Sequence, residues 1–490
     1  MKQKISFKEK ITNLKKADEQ FLQFVTFLYC MSTSGSNTTE LIKHAESSNY
    51  GRHTRSIKEI SRLGIGWGYG LSRACEVIAE KTSNSKGDQL KQLLVKLAQV
   101  IRIGEELKDF FKNEISAATH TFVSAYERNL ESQKLFLEMF YTLMSTTSVM
   151  IAANSMLTML TGATDSERIL VVSLVAVIAT MGAFAFMLYM IFPRDKLSTP
   201  THTSGRKFMR LLYISIVSSL VIGLVLYSTK TLPMLLIIPV AVSPFFIPAF
   251  FAKRIESEIK KLNEWYPPFI RHFGQILSTV GSTKNTLDTT LKSDFGELNK
   301  HLKSFRNRIG NRIDRDTSFE LFSRDTNSVM ITSGNTIFSK CIEVGSDMNE
   351  VGNKIADVTS KVNEVKSKRA HIAKTFEIVI LILHVMTVAV FALINKISEI
   401  FHGMLAGLPS VPGMIHLTPV NPEFLAALMP VIVITLSIIN GFAIKIAQGG
   451  LYKTVLFHIT ILTMIGSIAM YATAEILGMF LGKLADFSFV

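Results

Sequence analysis

The chain has 490 residues, 48% of them hydrophobic, and its 53 Lys and Arg against 39 Asp and Glu leave a formal charge of +14. That apolar share is only slightly above a soluble average, so any membrane character has to come from how the apolar residues are distributed. The three cysteines, Cys30, Cys75 and Cys341, have no CxxC spacing. This excludes a disulfide framework and a zinc site, and suits packing residues in a reducing compartment.

The first residues, MKQKISFKEKITNLKK, carry the charge of a signal-peptide n-region, but no apolar segment follows, so no cleavable signal is expected. Residues 1–134 form a charged block. In it, segments 25–29, 41–45, 57–63, 71–78 and 90–103 carry apolar residues at helical spacing, broken by Gly and Ser clusters and without strand-like alternation. Four apolar stretches with little or no charge follow, near 135–160, 169–192, 211–227 and 232–251, each near the ~20 residues that span a hydrocarbon core. Pro239, Pro244 and Pro248 predict a kinked or broken helix in the fourth. A second charged block covers 252–374. Its segment 299–315 reads as one amphipathic helix, with Leu302, Phe305, Ile309 and Ile313 on one stripe and Lys300, Arg308, Arg312 and Arg315 on another arc. That basic arc is either a solvated face or a docking face for an acidic partner. Three more spans are expected near 378–395, 424–444 and 454–480. Between the first two lies a loop, 396–423, with an amphipathic piece at Ile397, Ile400, Phe401, Met404 and Leu405.

The two charged blocks read as copies. Each has 21 Lys and Arg against 15 Asp and Glu, a difference of +6. In the first, Phe21 and Phe24 lead to Gly35, Tyr50-Gly51 and Gly104-Glu105-Glu106-Leu107. In the second, Phe269 and Phe273 lead to Gly281, Phe295-Gly296 and Gly345-Ser346-Asp347-Met348. The intervals between successive glycines are 16 and 53 residues in one and 15 and 49 in the other. Glu138 follows Gly104 by 34 residues and Glu377 follows Gly345 by 32, each at the entry to a span. An ordered series at preserved spacing indicates a duplicated unit.

Lys and Arg near span ends set orientation. Loop 193–210 carries Arg194, Lys196, Arg206, Lys207 and Arg210 against Asp195, and the 445–453 turn holds Lys445 and Lys453, whereas 161–168, 228–231 and 396–423 are close to neutral. Seven spans with an inner N-terminus and an outer C-terminus follow, with both blocks inside the cell. The positive charge is spread over that inner side without the aromatic-lined groove that single strands need, so nucleic acid is excluded and anionic membrane lipids are the expected attraction. The organisation is then a first cytoplasmic helical domain, 1–134; spans one to four, 135–251; a second cytoplasmic domain, 252–374; and spans five to seven, 375–490. The fold class is an all-α polytopic membrane protein with two duplicated cytoplasmic helical bundles.

Chemistry is scarce. The nearest phosphate-loop string, Gly478 to Lys483, has three residues between its glycines and Leu484 where Ser or Thr would bind magnesium. HExxH, GxSxG and metal-ligand spacings are absent, so no cofactor, metal or catalytic residue is expected. The intramembrane acids Glu138, Glu377 and Glu475, with His384 and His458, leave a secondary transporter as the alternative reading, with span-end or interhelical contacts as the plainer one.

With a Phe pair opening each helical bundle, a Gly in the first hairpin, the steps Gly104–Leu107 and Gly345–Met348, and a span entered through an acid, the chain resembles the type II secretion F-domain family. These are the platform proteins of type IV pili, type II secretion and the archaellum. Several spans between the two domains resemble the archaeal branch. The resemblance implies a non-enzymatic scaffold in the cell membrane, acting as a homodimer. It would couple a cytoplasmic hexameric secretion ATPase to assembly of pilin-like or archaellin subunits. Docking candidates are Arg52, Arg55 and Lys58 in the first block and Lys300, Arg308, Arg312 and Arg315 in the second.

Overall fold

The computed structural model describes residues 17–82, 88–161, 166–192, 195–199, 202–406 and 422–487. Expectations for residues 1–16, for 162–165, for Arg194, for 407–421 and for the tail beyond 487 lie outside the described residues. The described chain is all-α: its β-pairing is an isolated bridge between Ser198 and Ser328.

The first block consists of α1 (Glu19–Ser32), α2 (Thr38–Glu46), α3 (Arg52–Ser61), α4 (Leu71–Thr82), α5 (Gln89–Ile103) and the start of α6 (Leu107–Thr161). After α7 (Ser166–Ile191), α8 (His202–Thr229) and α9 (Met234–Val242), the second block repeats the same order. It runs through the later part of α10 (Phe246–Val280), α11 (Thr283–Thr290), α12 (Leu298–Gly310), α13 (Arg315–Thr326), α14 (Val329–Val344) and the start of α15 (Met348–Ala406). Helices α16 (Pro422–Gln448) and α17 (Val455–Phe487) complete the chain.

The glycines that mark the repeat share backbone conformations. Gly35 and Gly281 have φ of 71° and 68°, Gly51 and Gly296 60° and 54°, Gly104 and Gly345 79° and 77°. Gly104 and Gly345 are left-handed C-caps of α5 and α14, a place where a Cβ is penalised. The acidic residues after them start the next helix: Asp347 Oδ1 accepts from the amides of Asn349 and Glu350, and the Glu106 carbonyl accepts from Phe110 N. The glycine–acid–Leu/Met step is thus a helix stop followed by a helix start, and Leu107 and Met348 are the first residues of α6 and α15.

One basic segment departs from the expectation. Residues 299–315 are two helices: α12 stops at Gly310, Arg312 takes φ 59°, and Arg315 opens α13 behind its N-cap Asp314. Leu302 and Phe305 are buried as the helical stripe requires, whereas Ile313 falls in the turn and is 40% exposed.

The chain divides into two compact units. Unit 1 comprises Met1–Leu130, Lys196–Thr201 and Ser257–Lys368. Its first-block core sets Phe24 against Tyr50 and His53, and its second-block core is an aromatic cluster in which Phe305 and Phe322 stack at 5.2 Å. Within this unit the blocks are tied by charge. Glu350 accepts from Lys108 Nζ at 2.9 Å and from the Tyr29 hydroxyl at 3.3 Å, and Glu19 pairs with Lys366 at 2.9 Å. Burial, with Glu350 alongside, raises the Tyr29 phenol above its ordinary value. All three cysteines are buried free thiols, and burial pushes Cys75 up to about 12, as suits a packing residue. Helix α10 runs through Pro267-Pro268 without breaking. A proline at 267 cannot bond the Asn263 carbonyl four residues back, and Asn363 Nδ2 donates to that oxygen instead at 2.7 Å.

Unit 2 comprises Glu131–Asp195, His202–Glu256 and Arg369–Val490. Seven helices among the described residues are long and apolar enough to cross a membrane, which makes this a multi-pass membrane protein. The unit's core gathers Phe140, Met181, Phe376, Phe391, Leu436 and Leu462 among others. The fourth span breaks as its prolines require: α9 ends at Val242, a 3₁₀ turn covers Ser243–Phe245, and α10 starts at Phe246. Helix α8 exposes Leu220, Leu224 and Val217, an apolar surface that only lipid or another apolar chain satisfies.

Candidate functional site

The densest polar construction in unit 2 surrounds the turn between α16 and α17. Lys445, near the end of α16 and 1% exposed, donates to Glu256 of α10 at 2.8 Å, and the Thr454 hydroxyl donates to the same carboxylate oxygen at 2.9 Å. Arg369 of α15, 2% exposed, reaches the other side of the turn. Its Nη1 donates to Asp195 at 2.7 Å, while Nε and Nη2 donate to the carbonyls of Ala447 and Ile446 at 3.0 and 2.9 Å. Those carbonyls belong to the last turn of α16, where helix acceptors lack partners and the dipole end is negative, so a guanidinium is the fitting cap.

Backbone shape makes these contacts possible. Gly449 and Gly450 follow the helix with φ of 66° and 77°. A Cβ at Gly449 would stand 2.9 Å from Arg369 Cζ, and one at Gly450 2.7 Å from Glu256 Oε1. The double glycine therefore lets two long buried charged side chains lie flat against the turn. Beside it, Glu377 Oε1 faces His458 Nδ1 at 3.1 Å, Gln448 Nε2 donates to Glu377 Oε2 at 2.9 Å, and His458 Nε2 meets Gln448 Oε1 at 3.0 Å, closing a ring. Glu256 and Arg369 also have a special place in the sequence: they are the residues of unit 2 directly before Ser257 and directly after Lys368. What this arrangement can do is mechanical. Removing one partner of a buried pair leaves an uncompensated charge, so the turn holds α10, α15 and α16 in one register.

Of the expected intramembrane acids, only Glu377 enters this network. Glu138 and Glu475 are exposed on α6 and α17. Glu138 and Glu377 are not equivalent positions either. Their offsets of 34 and 32 residues are counted along unbroken helices, so the two-residue difference turns the side chain by about 200°. His384 is buried separately, with Nε2 at 3.2 Å from the Leu462 carbonyl and Asn440 Nδ2 at 3.2 Å from Nδ1.

The basic docking candidates differ in how they are paired. Arg52 spans Asp18 and Asp88, each at 3.3 Å, and Arg308 pairs with Asp325 at 2.6 Å. Arg315 leans on Asp316 at 3.4 Å. Arg55 and Lys58 are exposed on α3, Lys300 on α12, and Arg312 in the turn after it. Sequence reasoning did not single out Glu256, Arg369 or Lys445. The available signal was a Gly-Gly pair directly after a span, with charges at the ends of three others.

Two curated relatives cover nearly the whole chain. The flagella accessory protein J of Methanocaldococcus jannaschii is 25% identical over 95% of this chain and 86% of its own length. That of Methanococcus voltae is 24% identical over 94% and 85%. No family model matches the chain, and no solved structure matches it. Seven helices able to span a membrane, a helical block that occurs twice and a likeness that runs from end to end make this chain a multi-pass membrane protein similar to the archaeal flagella accessory proteins J.

Proposed function

We propose that this chain is the membrane platform of an archaellum- or type IV pilus-like assembly machine, a scaffold and not an enzyme. Both helical blocks lie on the cytoplasmic side with the N-terminus and receive a secretion ATPase. The spans pass its movement to pilin-like or archaellin subunits in the lipid layer, and two copies of the chain work together. The observation that carries this reading is the continuity of α6 and α15. Each leaves an equivalent helical block and becomes a membrane span without a break, over 55 and 59 residues. An unbroken helix transmits displacement and torque where a flexible linker dissipates them. The buried pairs Glu256–Lys445 and Arg369–Asp195 add a second route, because they lock the flanks of the second block to the α16–α17 turn. The names of the two relatives support the archaellum as the filament.

The test uses the full chain in lipid nanodiscs and the purified assembly ATPase encoded in the same genome. Wild-type platform is expected to bind and stimulate it, and Lys300→Glu with Arg312→Glu to weaken binding by about tenfold through lost charge complementarity. A platform that neither binds nor stimulates the ATPase would end this reading.

A further inference from the structure

Between α3 and α4 the chain reads Arg62-Leu-Gly-Ile-Gly-Trp-Gly-Tyr-Gly, with glycine at every second position from Gly64 to Gly70. Residues Arg62–Gly66 form a π turn, a rare element concentrated at functional sites. Gly64 anchors the stem: it is buried, and a Cβ there would fall 2.8 Å from Leu71 Cδ2 and 3.2 Å from Leu71 Cα. Gly68 and Gly70 take φ of 75° and 80°, so the tip turns where other residues would be strained. Its side chains point outward: Trp67 and Tyr69 are each 63% exposed, with Ile65 beside them.

The second block is an internal control. Its matching junction, between α12 and α13, is made by residues 311–314, Asn-Arg-Ile-Asp, without an aromatic residue. The repeat therefore folds with a four-residue turn, and two large aromatics in water are not needed to build it. Their surroundings are basic. Arg55, Lys58 and Arg62 line the adjoining surface cup with Glu46 and Glu59, and Lys81 neutralises Glu59 at 3.0 Å. The Arg62 guanidinium lies 5.7 Å from the centre of the Trp67 ring.

We infer that the 65–69 prominence is a docking anchor, one per chain, that seats in an apolar pocket with an acidic rim on a partner protein. Exposed Trp and Tyr flanked by Arg are the residue types that dominate protein interfaces. A lipid surface is the rival occupant, and the position of the loop disfavours it. The Ser72 hydroxyl donates to the Ala98 carbonyl at 2.8 Å, and Lys96 pairs with Glu114 at 2.6 Å, so the loop stands at the end of the block where α5 turns into α6. From Leu107 to Leu130, where α6 leaves the unit, is about 35 Å of helix.

The choice of the assembly ATPase as probe rests on the function proposed above. In nanodiscs, Trp67→Ala with Tyr69→Ala should lower its affinity about tenfold or more, and Trp67→Phe with Tyr69→Phe should restore most of it. Unchanged binding by the alanine pair, while Lys300→Glu with Arg312→Glu weakens it, overturns the anchor and leaves the platform reading standing. Failure of the wild type to bind overturns both. The chain's other tryptophan is Trp265, so Trp265→Phe leaves Trp67 as the sole reporter. Quenching of its fluorescence by brominated lipid would identify the membrane as occupant and overturn the proposal. Shielding from acrylamide on adding the ATPase supports it.

Discussion

In the second block, Gly274 of α10 and Gly352 of α15 press backbone to backbone: a Cβ on Gly274 would stand 2.5 Å from the Met348 carbonyl oxygen and 2.9 Å from Gly352 Cα. Gly274 is seven residues before Gly281, and Gly352 seven after Gly345. Counting the same distances from Gly35 and Gly104 in the first block reaches Leu28 and Phe111, both fully buried. One copy fills this place with large apolar side chains, and the other brings two helices into direct contact. The positive-φ glycines at the turns persist through both. Backbone conformation leaves few alternatives at a turn, while a core can be refilled in several ways if its volume is conserved. Divergence has therefore erased the packing resemblance and kept the punctuation.

The sharpest way to test that contrast is at matched arginines. Twenty-four residues beyond Gly104 and Gly345 stand Arg128 and Arg369. Arg128 is exposed, whereas Arg369 is buried against Asp195 and two carbonyls. Arg369→Ala should destabilise by about 3–5 kcal/mol, the scale of breaking a buried ion pair. Arg128→Ala should stay within about 0.5 kcal/mol, as for an ordinary surface change. Thermal unfolding of both variants in the same detergent measures the difference, and equal losses would mean that the copies are fastened alike.

A smaller effect is expected at the glycine crossing. Alanine favours a helix interior over glycine by up to about 1 kcal/mol. Gly352→Ala should nevertheless destabilise, by about 1–3 kcal/mol, because the new Cβ meets backbone that cannot move alone. Its Cβ would lie 2.8 Å from the Ile270 carbonyl oxygen. A variant with a raised melting temperature would show that α10 and α15 are not in contact there.

These contrasts also mark how far the sequence can be read. The spans, the all-α class and the broken fourth span were legible, because apolar run length and proline act locally. The repeat was legible through its glycines, which punctuate turns. The buried charges were not. Glu256 and Arg369 read as ordinary members of a basic block, and Lys445 as a loop charge that sets orientation. Their partners come from α10, α15 and α16, so only tertiary packing shows that they converge. The amphipathic reading of 299–315 failed at Gly310 for a related reason. Periodicity measures which side would be buried if the helix continued, and it carries no information on whether Arg312 instead turns the chain.

The smallest effect separates the blocks by pH. Burial holds His301 of α12 below its ordinary 6.5, against the opposing pull of Asp325 and Glu258 and with help from Lys300 and Arg308. The unfolded second block therefore takes up a proton there before the folded one does. The His301 contribution is complete above about pH 6.5 and is lost as pH falls from there toward its lower folded value. In the first block, burial of Asp18 is outweighed by the His53 imidazole 3.7 Å away, by the hydrogen bond from the Phe21 amide and by the charge of Arg52, which together lower its pKa. Its contribution is present above 3.8 and is lost only as pH falls through that value toward the depressed folded one. As pH falls from about 7.5 to 5.5, amide protection, after correction for the intrinsic exchange rate, should therefore drop in α12 and remain steady in α1, a difference that local-opening measurements resolve. His301→Gln should remove the change in α12. If the protection of α12 is the same at both pH values, or if α1 loosens equally, the two copies do not differ in this respect, and the half-buried histidine has no influence on how tightly the second block is closed.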